Sequence, residues 1–217
     1  MLNKVFVKTY SPTPFDEKEI LRYAGYKGEV SPQIQEVLNE CIKESENAFS
    51  YRVCFATLER ETLMNKWEDC GKLFTERLRG AKYAVLFACT VGLEIDRLIL
   101  KEENVSVTKA LFLQAIGAER IESLCETFCR EVEIGCEKKG YHAGARFSAG
   151  YGDFPLEKQK EMFSLLSPQK TIGLTLNESL LMSPTKSVTA IIPIGEKDCK
   201  ATLGCESCEK KDCLYKR

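Results

Sequence analysis

Residues 107–138 keep apolar side chains at helical spacing for longer than any other part of this chain. Leu111, Ala115, Ala118, Ile121, Cys125, Phe128, Cys129 and Val132 form the stripe. One long helix is predicted, and its apolar side must be covered by elements of comparable length. Core packing is the straightforward reading of such a stripe.

The remaining segments supply that cover. Residues 4–9, 51–59, 82–90 and 187–194 read as strands, and the last is rich in β-branched residues. Asp16, with Glu19 at the capping-box position, opens a helix through Ile20, Leu21 and Tyr23 that ends near Gly25 or Gly28. Ser31-Pro32 reads as cap and first helical residue. Ile34, Val37, Leu38, Cys41 and Ile42 then make one apolar face. Gly92-Leu93-Glu94 begins a further helix that ends near Asn104. Gly140 and Gly144 stop the long helix, residues 145–155 form a loop, and Leu156–Leu166 is a short helix closed by Ser167-Pro168. Strands and helices mix without strict βαβ alternation. The fold class expected is α+β, a single domain with a mixed or antiparallel sheet flanked by helices.

Size and charge narrow the function. The chain has 217 residues, 44% hydrophobic and 29% charged, which is enough for a real core, and the folded domain is expected over residues 1–196. A formal net charge of −1 gives no basic field to attract nucleic acid. Met1-Leu2-Asn3-Lys4-Val5 lacks the apolar run of a signal peptide, and no apolar stretch is long enough to span a membrane. A cytoplasmic protein is expected. There are 11 cysteines, an odd number, and those from Cys41 to Cys136 fall in patterned segments where Cys acts as a small buried hydrophobe. A secreted disulfide framework does not fit.

The segment Ala145-Arg146-Phe147-Ser148-Ala149-Gly150-Tyr151-Gly152-Asp153-Phe154-Pro155 carries the best candidate chemistry. Arg146 offers a planar cationic fork for a carboxylate. Gly150 and Gly152 let backbone polar groups approach a ligand. Tyr151 offers a ring face to a cation or a nucleobase. Composition alone fits an ordinary Gly-containing turn with a surface Arg as well or better.

The order of residues adds to this. Arg146, Gly150 and Tyr151 resemble the Arg-x-x-x-Gly-Tyr signature of the activation domain of vitamin B12-dependent methionine synthase, with Ala149 where that family usually has Pro. Ile172-Gly173-Leu174-Thr175-Leu176-Asn177-Glu178-Ser179 is similar to its Gly-x-x-Leu-Thr-Glu-Ser segment. Met182, Pro184 and Ser187-Val188 are similar to the continuation of that segment. Upstream, Thr90-Val91-Gly92-Leu93-Glu94-Ile95-Asp96 resembles Thr-x-Gly-Leu-Glu-x-Asp, and Ala118-Glu119-Arg120 resembles Ala-Asp-Arg. The ordered landmarks span residues 84–193.

The resemblance implies an activation-domain fold and S-adenosylmethionine bound by Arg146, Ala149, Gly150 and Tyr151. It implies a role in reductive methylation of cob(II)alamin, with an electron from a flavodoxin- or ferredoxin-type donor. The cobalamin signature Asp-x-His-x-x-Gly is missing, since Gly140 stands two residues before the single histidine, His142. The cobalamin would then be carried by a separate methionine synthase, on which this chain acts in trans. The family's acidic ligand contact and its late Tyr have no clear counterparts here. Asp153-Phe154-Pro155 replaces its Ala-Cys-Pro.

Residues 197–217 form a Cys-rich tail. Cys199, Cys205, Cys208 and Cys213 are candidate ligands for zinc or an iron–sulfur cluster, or else free thiols. Two other functions stay open. One is a non-catalytic docking module for a corrinoid methyltransferase; the other is a tail-borne electron-transfer protein. A Rossmann-type methyltransferase is disfavoured, because no Gly-x-Gly-x-Gly follows a strand.

Overall fold

The computed structural model describes residues 4–196. The tail cysteines Cys199, Cys205, Cys208 and Cys213 lie outside the described residues. The elements in order are β1 (Phe6–Tyr10), α1 (Glu17–Tyr23), α2 (Pro32–Ser45), β2 (Tyr51–Glu59), α3 (Arg60–Lys66), α4 (Lys72–Arg77), β3 (Tyr83–Thr90) and α5 (Glu94–Glu103). There follow α6 (Val107–Glu137), β4 (His142–Ala143), α7 (Lys158–Leu166), α8 (Pro168–Thr171), β5 (Thr175–Leu176), β6 (Met182–Ser183) and β7 (Ser187–Gly195).

The main sheet runs β1-β2-β3-β7-β4, and every pairing is antiparallel. This settles the choice between a mixed and an antiparallel sheet. Both faces are covered. Tyr51, Val53, Val85, Phe87, Cys89, Ala190, Ile192 and Ile194 form the core beneath α1, α2, α5 and α6. Their alternate neighbours Cys54, Ala56, Leu58, Ala84, Leu86, Ala88 and Ile191 form a second core with Leu63, Trp67, Phe74, Met162 and Leu166. The period of two in each strand places consecutive residues in different cores. Each fully buried Leu, Ile or Phe in either core contributes about 1.5–3 kcal/mol.

Local signals hold where side chains set them. Asp16 caps α1 by accepting from the N–H groups of Lys18 and Glu19, and Ser31 caps α2 ahead of Pro32. The carboxylate of Glu19 binds Arg22. The long helix is α6, as predicted, but Leu111 is a correction: it is 42% exposed. The first half of α6 packs against α1, α2 and α5 as well as the sheet, so Phe112, Leu113, Ile116 and even Gly117 are buried. Leu111 lies on the side left uncovered. Among the described residues no helix is long and apolar enough to cross a membrane.

Candidate functional site

The segment after β4 lies along the outer edge of β7. Ala143 pairs with Ile194, and Phe147 then pairs with Ile191. Between these pairings the loop strand advances four residues (147 − 143) while β7 advances three (194 − 191). One extra residue on the loop side is a β-bulge, and a bulge exchanges the two faces of a strand. Ala143 packs on the first core, whereas Phe147 packs in the second. Its neighbour Arg146 is therefore turned back toward α6. A strand continued in register from Ala143 would have aimed Arg146 at the opposite face.

On α6, Arg146 meets Glu122, and its Nη2 donates to Glu122 Oε2. Burial works to lower the guanidinium pKa, but the neighbouring Cys125, Glu122 and Cys129 outweigh it and hold Arg146 above its ordinary value. A guanidinium has five N–H donors, so one carboxylate oxygen does not exhaust it.

Glu122 also lines a cleft of about 590 Å³ between the segment 13–23 and α6. Asp16, Glu19, Glu119, Glu122 and Glu126 line it, against one guanidinium, that of Arg22. Its size is that of a small-molecule site; its lining is rich in carboxylates, of which Glu19 is held by Arg22, Glu119 by Arg120 and Glu122 by Arg146. Arg120 holds Glu119 of this lining from behind. The arginine side chain is fully buried and bound to both oxygens of Glu119; it also donates to the carbonyls of Thr13 and Pro14 at 2.5 and 2.8 Å. The ring of Phe15 lies 4.3 Å from its guanidinium carbon. Burial opposes the charge on Arg120, and Glu119 more than offsets it, leaving the pKa raised.

Past the bulge the loop crosses to the second core. Ala149 is buried there, so its backbone is what it can present to a ligand. Gly150 has φ +91°, and its N–H donates to the carbonyl of Phe154 at 2.8 Å. A side chain at that φ would be strained. Tyr151, at the tip, is 72% exposed. Phe154 anchors the return, with ring centroids 4.9 Å from Phe74 and 5.6 Å from Trp67. Asp153 reaches across to accept from the N–H groups of Leu73 and Phe74 at 2.9 and 3.3 Å, capping α4.

The structure thus places Arg146, Ala149, Gly150 and Tyr151 on one loop, with Arg146 on the α6 side and Ala149 buried on the other. Sequence reasoning missed Glu122, the bulge, the acidic cleft and the anchoring by Asp153. Each depends on residues far apart in the chain. The landmarks of the resemblance also meet. Asp96 accepts from the backbone N–H of Thr185 at 2.7 Å and from its hydroxyl at 2.6 Å, joining the 90–96 and 182–188 segments. Among the described residues no group of three or more His, Cys, Asp or Glu could hold a metal ion.

Comparison with known proteins bears on the family and the fold. A methionine synthase of Mycobacterium tuberculosis (strain ATCC 25618 / H37Rv) is 46% identical over 56 residues, which is 25% of this chain and 4% of that protein. The crystal structure of the MetH reactivation domain bound to AdoHcy superposes with a TM-score of 0.58 at 15% identity, covering 88% of this chain and 78% of that one. That likeness establishes the α+β fold with its antiparallel sheet. Residues 43–201 match the family profile described as vitamin B12 dependent methionine synthase, activation domain, and on that match the chain belongs to this family.

Proposed function

We propose that the chain binds S-adenosylmethionine at the Arg146 loop and the adjoining acidic cleft. In this reading it supports reductive methylation of cob(II)alamin on a separate B12-dependent methionine synthase. The observation that carries the reading is the bulge, which turns Arg146 onto Glu122 at the wall of that cleft.

The chemistry of the ligand fits. S-adenosylmethionine carries a sulfonium and an ammonium beside one carboxylate, and it supplies the methyl group. Arg146 binds the carboxylate through N–H donors not used by Glu122. The acidic lining of the cleft stabilises the two cationic centres. Gly150 and the exposed Tyr151 do not line the cleft, and in this reading they meet the end of the ligand that extends past Arg146. The protein's contribution is to orient the methyl group and keep water away. No general acid or base is required of it. The cobalamin belongs to the partner, and the electron comes from a flavodoxin- or ferredoxin-type donor. Domain limits of 1–196 with a separate tail of 197–217 are part of this proposal, as is zinc or iron–sulfur binding by the tail.

The test is calorimetric titration of S-adenosylmethionine into wild type and Arg146→Ala. Saturable binding should weaken by roughly tenfold or more in the variant, as loss of a charged hydrogen bond of about 1.5–3 kcal/mol requires. No binding by wild type overturns the pocket. Activity in trans is read as methylcobalamin formed on an inactivated methionine synthase under reducing conditions. It should depend on this chain and on Arg146. Binding without methylation would favour the docking-module reading.

A further inference from the structure

Cys89 on β3 and Cys125 on α6 meet in the first core with their Sγ atoms 3.4 Å apart. Neither is exposed. Cys125 follows Glu122 by three residues and precedes Cys129 by four, so the three lie along one side of α6. That is the side on which Glu122 binds Arg146. The two thiols therefore sit directly behind the ion pair that fixes the loop.

Packing alone does not call for sulfur at both positions, because any small apolar residue fills such a site. A disulfide needs an S–S distance of about 2.05 Å, so the two sulfurs must close by roughly 1.4 Å. Rotation of the two side chains, approach of α6 to β3, or both must supply that closure, and any movement of the helix carries Glu122 with it.

We propose that Cys89 and Cys125 are a redox modification site: a two-electron oxidant of the peroxide class joins them, staples β3 to α6, and loosens the hold of Glu122 and Arg146 on the loop. Hydrogen peroxide serves as the acceptor. One thiolate attacks the O–O bond, giving a sulfenic acid and hydroxide, which takes a proton to become water. The second thiolate then displaces hydroxide from that sulfur, and a second water is formed. Two S–H bonds break, one S–S bond forms, and the two electrons pass to oxygen. Both thiols are out of solvent, so closure waits on local opening of the β3–α6 contact and is slow. The regulatory half of the proposal rests on the S-adenosylmethionine reading; the cross-link does not.

The cross-link is tested on the full chain, reduced and then exposed to hydrogen peroxide. Remaining thiols are alkylated, and the protein is digested with trypsin without reductant. Cys89 falls in the peptide 83–97, and Cys125 and Cys129 fall together in 121–130. The expected product joins the two peptides, is lighter than their sum by two hydrogen atoms, and carries the alkyl group on Cys129. It should persist in Cys129→Ala and vanish in Cys89→Ala or Cys125→Ala. A bond between Cys125 and Cys129, or both Cys89 and Cys125 recovered alkylated, overturns the site.

Regulation is tested by titrating S-adenosylmethionine into reduced and cross-linked protein. Affinity should fall by roughly fivefold or more, within the usual range for coupled sites, and return on reduction. Unchanged affinity with a complete cross-link overturns the regulation alone. Reduced protein that does not bind overturns the pocket and its regulation together, while the mass measurement still decides the cross-link.

Discussion

Asp96 holds Thr185 by two hydrogen bonds, one from the backbone N–H at 2.7 Å and one from the hydroxyl at 2.6 Å. Asp96 stands at the start of α5, and Thr185 precedes β7 by two residues, so the carboxylate fixes the entry of an interior strand. Both bonds are charge-assisted; the Asp96 carboxylate is buried, whereas Thr185 is exposed. Asp96→Ala should cost about 1.5–3 kcal/mol in urea unfolding, the range for hydrogen bonds to a charged group, since the exposed Thr185 donors can turn to water. Asp96→Asn keeps one acceptor and should lose about half as much. A loss under roughly 0.5 kcal/mol in the Ala variant would show that the latch contributes little.

Arg120 is buried whole, with acceptors from Glu119, Thr13 and Pro14 around it. Arg120→Met leaves the Glu119 carboxylate buried without its partner, and should destabilise by about 3–5 kcal/mol. The double variant Arg120→Met, Glu119→Gln removes both charges and should recover part of that loss. Comparing the four unfolding midpoints measures the coupling. Additive losses would mean that the two side chains act independently.

The legible parts of the fold were those whose signal is local. The stripe on α6, Asp16 and Ser31 at their caps, and the β-branched run of β7 each declare themselves within one element. The region 60–77 did not. It folds as α3 and α4, of seven and six residues, too short for a period of 3.6 to repeat. Its buried residues Leu63, Trp67 and Phe74 become intelligible only against Phe147 and Phe154 from the loop. Arg146 could be singled out from residue order, but the direction it faces could not. That direction is set by a one-residue mismatch between two strands, which no single segment displays. Glu122 was hidden for the same reason, being one of several carboxylates on a helix.

Asp153 caps α4 from the loop because Gly71, at the cap position, has no side chain to do so. The two are sterically matched: a Cβ on Gly71 would lie 2.2 Å from Asp153 Oδ2. Asp153→Ala should cost about 1 kcal/mol, the usual loss for an N-cap. Gly71→Ala should also destabilise, by forcing the carboxylate away. The two losses should not add, since removing the Asp153 carboxylate removes the obstruction. Equilibrium unfolding of the three variants checks this. Additive losses would break the link between loop and helix, and with it the explanation of why the loop stays seated on the second core.

Burial raises the thiol pKa values in the first core and near α4. Cys41 and Cys70 go from 9.0 to about 11, and Cys129 goes from 9.0 to about 12; desolvation is the leading cause in each. Each folded pKa is raised above its unfolded value, so the native state holds more protons than the unfolded chain between the two. Their contribution is then complete below pH 9 and lost as pH rises through about 11 to 12. Reduced protein should show a falling unfolding free energy across that window. Cys129→Ala should flatten the slope, because the most displaced of the three groups is gone. A slope the same in the variant would mean that Cys129 ionises as easily in the folded protein as in the unfolded chain.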